Sequence, residues 1–275
     1  MSVHDSVKRL TAPDIMAMKG RQKIVSLTAH SKPIAELMDR YVDLIIMGDS
    51  LGMVVYGMPS TLAVTLEMTI AHAQAVMRGA QRACVVVDLP FASYQESPQQ
   101  AFRSAARVMA ETGAQAVKLE GLHEMIDTVR FLVQRGIPVM PHIGLMPQHF
   151  NVMGGFKVQA KTDAQADALV QLGRELEQAG AFSLLIEGTY ASAATAVSEA
   201  VSIPTIGIGA SAECDGQVLV TEDVIGLFSD FTPKFAKQYI DLKPLLQQAF
   251  EQYMEDVRKG DFPAREHCFG ANKSS

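Results

Sequence analysis

The chain has 275 residues, 48 % of them hydrophobic and 20 % charged, with a formal net charge of −6, which suits one large α/β barrel or two small domains with a sizeable core. A mildly acidic chain without a basic block is a poor match for nucleic acid or an anionic membrane, and its three scattered cysteines, Cys84, Cys214 and Cys268, form neither a disulfide framework nor a zinc site. No apolar stretch approaches the roughly 18–20 residues of a membrane helix and the N-terminus has no apolar leader region, so a cytoplasmic protein is expected.

Residues 1–23 are mixed and polar and predict a short helix covering the bottom of the fold. IVSLTA (24–29) is the first strand, followed by a helix over 30–40 with Ile34, Leu37 and Met38 at helical spacing. DLIIMGDS (43–50) is the second strand, an apolar run that stops abruptly in Asp49 and Ser50. LGMVVYGMPSTLAV (51–64) reads as a long apolar loop with a short hairpin. A helix over 65–78 places Leu66, Ile70, Ala73 and Met77 on one face.

From there a punctuation recurs: Gly79, Gly113, Gly136 and Gly180 each follow a helical pattern and precede an apolar run, as left-handed helix caps do. The runs are ACVVVDLPF (83–91), AVKLEG (116–121), IPVMPHIG (137–144) and FSLLIEG (182–188). Ser97-Pro98-Gln99-Gln100 and Thr162 with Gln165 are capping-box patterns at helix starts. Phe102, Ala105 and Met109 form the inner face of one of these helices, and Leu169, Leu172 and Leu176 that of the other. PTIGIGA (204–210) and DVIGLF (223–228) supply strands seven and eight. A terminal helix over 235–258 is interrupted near Pro244, and 259–275 is a polar tail. Eight βα units without a linker, with strands apolar throughout, favour a single (β/α)8 TIM barrel over 1–275 against an open doubly wound sheet.

In such barrels the rim at the strand C-termini holds the active site. Asp49, Asp88 and Glu120 end strands two, three and four, close enough to converge. As hard oxygen ligands they suit Mg²⁺; the plainer reading is that each caps a helix or pairs with a lysine. Lys118, two residues before Glu120, points to the same side, as a partner for a substrate carboxylate or as a counter-ion. A Schiff-base role is disfavoured beside metal ligands that hold it charged. Glu187 ends strand six across the rim, as a general base or as a helix cap. His142 ends strand five, to polarise a substrate oxygen or simply to pack. The 145–162 loop, with Gly154-Gly155, reads as a lid or as surface irregularity. Gly207 and Gly209 in GIGASAECDGQ lack the GxGxxG spacing and are weak evidence of phosphate binding.

The motifs TAPDI with KIVSLTA, GDSLGMVVYG, VVDLPF, AVKLEG, HIGL-PQ, GGFKVQ, IPTIGIGA with DGQ, and PKFAK, in that order from about Thr11 to Phe269, resemble the ketopantoate hydroxymethyltransferase family. The resemblance implies a barrel of the phosphoenolpyruvate mutase-like type. It implies transfer of the one-carbon unit of 5,10-methylenetetrahydrofolate to 3-methyl-2-oxobutanoate, giving ketopantoate in pantothenate biosynthesis. It implies metal acids at Asp49, Asp88 and Glu120, substrate contacts at Asp49, Ser50, Asp88 and Lys118, and a proton acceptor at Glu187. Members of the family are typically cytoplasmic and often decameric, so a cytoplasmic homodecamer is what the resemblance implies. In the chemistry this implies, the oxo acid chelates Mg²⁺, the base removes the C3 proton, and the metal-stabilised enolate attacks the methylene carbon.

The chain departs from the family pattern at His30-Ser31 (usually Tyr-Asp), Leu122 (Gly), Pro141 (Gly) and Met146 (Thr), and Leu122 and Met146 would touch pocket or folate approach. Two rival readings stay open. One is an oxo-acid lyase or mutase of the same barrel type, against which the cysteine-free 145–162 loop argues. The other is a non-catalytic metabolite-binding paralogue.

Overall fold

LIIM, CVVVD, AVKLE and TIGI are buried at every position. Strands covered on both faces are parallel strands wrapped in helices. The computed structural model describes residues 8–227 and 233–270. In chain order it contains α1 (Ala12–Met16), β1 (Ile24–Thr28), α2 (Lys32–Met38), β2 (Leu44–Met47), α3 (Leu51–Val54), α4 (Leu66–Gly79), β3 (Cys84–Asp88), α5 (Pro98–Thr112), β4 (Ala116–Glu120) and α6 (Ile126–Val133). There follow β5 (Val139–Gly144), α7 (Phe150–Met153), α8 (Asp163–Gln178), β6 (Leu184–Glu187), α9 (Ala191–Ala200), β7 (Thr205–Ile208), β8 (Gly216–Leu219), α10 (Thr221–Val224) and α11 (Lys243–Lys259). The strands are parallel and close into a barrel in the order β1 to β8, with β8 pairing back to β1 from Ile24↔Gly216 to Leu27↔Leu219. The expected (β/α)8 barrel is therefore present.

Alternation along the strands decides where the site lies. Leu44, Ile46, Cys84, Val86, Ala116, Met140, Leu185, Ile206 and Val218 share one buried cluster with Ala12 and Ile15 of α1. Their neighbours Ile45, Met47, Val85, Val87, Val117, Leu119, Ile143, Leu184 and Ile186 join the cluster formed with the helices. The first set is the barrel interior. Two residues further along the same strand faces, hydrocarbon gives way to Asp88, Lys118, His142 and Glu187, with Glu120 two beyond Lys118. The polar rim is thus the last layer of the barrel's own filling.

Helix starts follow the sequence pattern. Ser97 Oγ accepts from Gln100 N (3.1 Å), and Thr162 and Gln165 form a reciprocal box. The Gln100 side chain accepts from Glu96 N rather than from Ser97. Gly113, Gly136 and Gly180 are left-handed, with φ of 78°, 83° and 98°. Gly79 is not: it ends α4, and a Cβ there would lie 2.4 Å from the Lys32 carbonyl oxygen. Its absent side chain lets α4 pack against α2.

Several expectations need correction. The eighth strand is GQVL (216–219), not DVIGLF. Asp223 and Val224 are in α10, Gly226 turns the chain at φ 67°, and Phe228 lies outside the described residues. The strand is hidden in sequence because Gln217 is exposed and Gly216 is chosen for backbone approach, a Cβ there falling 2.5 Å from Ile24 O. Residues 209–215 join β7 to β8 without a helix. The 51–64 segment forms α3 and a 3-10 turn at Thr61–Ala63 rather than a hairpin. Leu37 is 71 % exposed, while Met38 is buried. Pro244 opens α11 instead of interrupting it, since proline lacks only an N–H that a first turn does not use.

The chain divides into two compact units, 1–221 with the barrel and 222–275 with α11. On α11, Leu245, Phe250, Tyr253, Met254 and Val257 are exposed, and Gly260 ends the helix at φ 80°.

Candidate active site

The rim side chains lie in a line that crosses five strands. Asp49, just past β2, donates its backbone N–H to Asp88 Oδ2 (3.1 Å). The same oxygen pairs with Lys118 Nζ at 3.1 Å, as the register Asp88↔Lys118 between β3 and β4 allows. Lys118 Nζ lies 3.2 Å from His142 Nδ1. An ammonium only donates, so Nδ1 accepts, and a neutral ring carries its proton on Nε2. That nitrogen lies 3.3 Å from Glu187 Oε2. Gly144↔Glu187 pairing of β5 with β6 brings the two together.

Burial sets the charge of each member. Asp49 is pushed up to about 6 by burial and then by the Asp88 charge, against Lys118 and Gln148. Asp88 is also raised by burial, which Lys118 opposes. Burial works against the Lys118 charge, but Asp88, Asp49 and Glu120 outweigh it and lift its pKa. His142 is pushed down to about 3 by burial and then Lys118, so it is neutral. Glu187, with 19 % of its side chain exposed, is pushed up to about 7 by burial, with Lys118 opposing.

Glu120 is held from the turn after β5. Its Oε1 accepts from Gln148 N (2.8 Å) and its Oε2 pairs with His149 Nδ1 (2.7 Å). This contact raises the His149 pKa. Among the described residues, no group of three or more His, Cys, Asp or Glu side chains is arranged to hold a metal ion. Asp49 and Asp88 are brought together; Glu120 is turned toward the start of the 145–162 loop. Ser50, half-buried, lies with its Oγ 3.3 Å from His30 Nε2, and the His30 carbonyl receives His72 Nδ1 at 2.6 Å. His30 is buried at the end of β1. Met146 is buried and Leu122 half-buried, while Pro141 packs at the backbone of Gly121, where a Cβ would meet it at 3.2 Å.

Three site neighbours escaped the sequence reading: Tyr94, Gln148 and His149. Tyr94 is fully buried and accepts the Glu120 N–H at its hydroxyl (3.1 Å). Gln148 Nε2 donates to Asp49 Oδ2 (2.9 Å). A hydrophobic pattern cannot single out a glutamine or a tyrosine; the PQ of the HIGL-PQ motif was the available signal.

A small hard cation fits the aspartate pair. Among the described residues, Asp88 Oδ1 is buried without a hydrogen-bond partner. Such an atom is costly unless something charged meets it. Mg²⁺ is commonly held by one or two carboxylates, with water and substrate oxygens completing the octahedron, so two aspartates suffice.

A family model described as ketopantoate hydroxymethyltransferase matches residues 9–265. The chain is 61 % identical to 3-methyl-2-oxobutanoate hydroxymethyltransferase 1 of Hahella chejuensis over all of this chain and 99 % of that one. It is 57 % identical to 3-methyl-2-oxobutanoate hydroxymethyltransferase of Paramagnetospirillum magneticum, covering 99 % of this chain and 100 % of that one. Among solved structures it resembles phosphoenolpyruvate phosphomutase from Streptomyces platensis subsp. rosaceus, with TM-score 0.62, 13 % identity, and 91 % and 88 % of the two chains covered. It also resembles 2,3-dimethylmalate lyase, a member of the PEP mutase/isocitrate lyase superfamily, with TM-score 0.58, 16 % identity, and 94 % and 90 % covered. The barrel fold is thus shared with these structures, and the chain belongs to the ketopantoate hydroxymethyltransferase family.

Proposed function

We propose that the chain transfers a hydroxymethyl group from 5,10-methylenetetrahydrofolate to 3-methyl-2-oxobutanoate, giving ketopantoate. The relatives' names support the substrate. The observation that carries the reading is the polarity of the rim: a carboxylate pair with a lysine on one side, and a buried carboxylate near neutrality on the other. Asp49 and Asp88 would hold Mg²⁺, with Glu120 behind them, bound to Gln148 and His149. When bound, the ion supplies electron withdrawal at the oxo oxygen as negative charge develops there. Lys118 offsets the substrate carboxylate, and Ser50 contacts the substrate from the end of β2. Neutral His142, with its Nε2 3.3 Å from Glu187 Oε2, leaves the base beside an uncharged ring. Glu187 takes the C3 proton and C3 forms its new bond to the folate-derived methylene carbon; both C–N bonds to that carbon break, water supplies its hydroxyl, and tetrahydrofolate leaves.

The 145–162 loop would close as a lid, its Val152 and Phe156 being exposed. We place the enzyme in the cytoplasm, acting as one functional unit over 1–275, and as a homodecamer; the exposed apolar residues of α11 support self-association. Among the described residues, no helix is long and apolar enough to cross a membrane. The test is isotope exchange: with Mg²⁺ and without folate, the enzyme should exchange the C3 proton of 3-methyl-2-oxobutanoate with solvent. Absence of exchange in the wild type, or product formation without the folate, would overturn the proposal.

A further inference from the structure

Gln148 has every side-chain hydrogen-bonding position occupied, and its partners belong to separate parts of the rim. Nε2 donates to Asp49 Oδ2 (2.9 Å) and to the Leu89 carbonyl (3.0 Å). Oε1 accepts from the Tyr94 hydroxyl (2.7 Å) and from Gln95 Nε2 (3.0 Å). The backbone N–H donates to Glu120 Oε1 (2.8 Å). Only 5 % of the residue is exposed.

The amide cannot be turned round. The Leu89 carbonyl only accepts, so it requires the NH₂ end. The Tyr94 hydroxyl already accepts the Glu120 N–H (3.1 Å) and is left to donate. With these partners in place a donor faces Asp49. One residue of the turn after β5 thereby fixes an acid after β2 through its side chain and an acid of β4 through its backbone.

We propose that Gln148 is a positioning residue for divalent-cation binding: it occupies Asp49 Oδ2 and so leaves the other Asp49 oxygen for an ion shared with the unpartnered Asp88 Oδ1. The inference rests on the reading that Asp49 and Asp88 hold that ion. A buried carboxylate without a fixed donor can rotate about its χ2 torsion, which is broad for aspartate, and bind Lys118 or its own backbone instead. Holding one oxygen removes that freedom before the cation arrives, and Gln148 achieves this without adding charge beside two acids.

The experiment is titration of Mn²⁺ alone into the full-length protein, followed by electron paramagnetic resonance of the free ion, for wild type, Gln148→Met, Gln95→Ala and Asp88→Asn. Methionine keeps the length and bulk of glutamine and retains the backbone bond to Glu120. Groups that orient metal ligands are typically worth about 10- to 100-fold in affinity, so Gln148→Met should weaken Mn²⁺ binding by that factor. Gln95→Ala removes one donor to the same amide but leaves the Asp49 bond, and should stay within about twofold of wild type on the same scale. Gln148→Met binding like wild type, or Gln95→Ala losing as much as Gln148→Met, would overturn the inference. If Gln148→Met does not fold, Gln148→Asn decides: it keeps the backbone bond to Glu120 but is one methylene too short for the Asp49 bond, so it should weaken Mn²⁺ by the same factor of about 10 to 100, and an unchanged affinity in the folded variant refutes the proposal. Wild-type affinity in Asp88→Asn would instead remove the aspartate-pair reading on which the inference stands.

Discussion

Glu187 gives the sharpest prediction because its environment sets its pH range. An ordinary glutamate is almost fully ionised at pH 6. Burial at the end of β6 pushes Glu187 up to about 7, against a partial pull from Lys118. If it is the base, the C3 exchange rate follows its ionised fraction: about a tenth at pH 6, about half at pH 7 and about nine-tenths at pH 8. The rate should therefore rise about tenfold from pH 6 to pH 8, where an unperturbed carboxylate would give a flat line. The assay is proton NMR of 3-deuterated 3-methyl-2-oxobutanoate in ordinary water with Mg²⁺ at saturation, reading the appearance of the C3 proton. Glu187→Gln should lower the rate by about 10²- to 10⁴-fold while leaving oxo-acid binding in place. A pH-independent rate between 6 and 8, or normal exchange in Glu187→Gln, would refute the assignment.

The same residue should cost stability. Its folded pKa, about 7, lies above the ordinary 4.5, so the folded state holds the proton more tightly. Stability then falls as pH rises from about 4.5 through about 7, and the full cost, on the order of 3 kcal/mol, is present above that. Glu187→Gln should accordingly raise the Tm at pH 8 and change it little at pH 4; an equal shift at both would contradict this. Lys118→Met removes the counter-charge of Asp88 and the partner of a substrate carboxylate. Losing a charge-assisted bond of about 1.5–3 kcal/mol predicts oxo-acid binding weaker by about 10- to 100-fold, read by calorimetry, and unchanged affinity would remove Lys118 from the substrate site. Gly79→Ala drives a methyl to 2.4 Å from Lys32 O and 2.9 Å from Glu36 N, both backbone. Overpacking of this kind costs about 1–3 kcal/mol or more in urea unfolding, whereas Gly20→Ala, with nothing within 4 Å of the added Cβ, should lose only about 1 kcal/mol for its left-handed backbone.

The acids, the lysine and the histidine were legible because barrel strands are continuous apolar runs, so a charge at the end of a run stands out. Alternation then fixed that Lys118 and Glu120 share the interior face, as the contacts of Lys118 with Asp88 and His142 bear out. What was hidden depends on contacts distant in sequence. GQVL carries one exposed polar residue and a glycine, and becomes β8 only because β1 and β7 offer it edges. DVIGLF has strand composition, but Asp223 and Val224 lie in α10. Glu120 reads like Asp88 in sequence. Only the fold shows that Gln148 and His149 occupy its oxygens, and only the fold gives Gln148 its five partners.

The account stands or falls on where a cation and the oxo acid bind relative to Glu187, and a crystal structure of the protein with Mg²⁺ and 3-methyl-2-oxobutanoate measures that directly. The account predicts the ion on Asp49 and Asp88, the substrate carboxylate toward Lys118, and the C3 hydrogen facing Glu187. An ion bound away from the two aspartates, or C3 turned from Glu187, would contradict it.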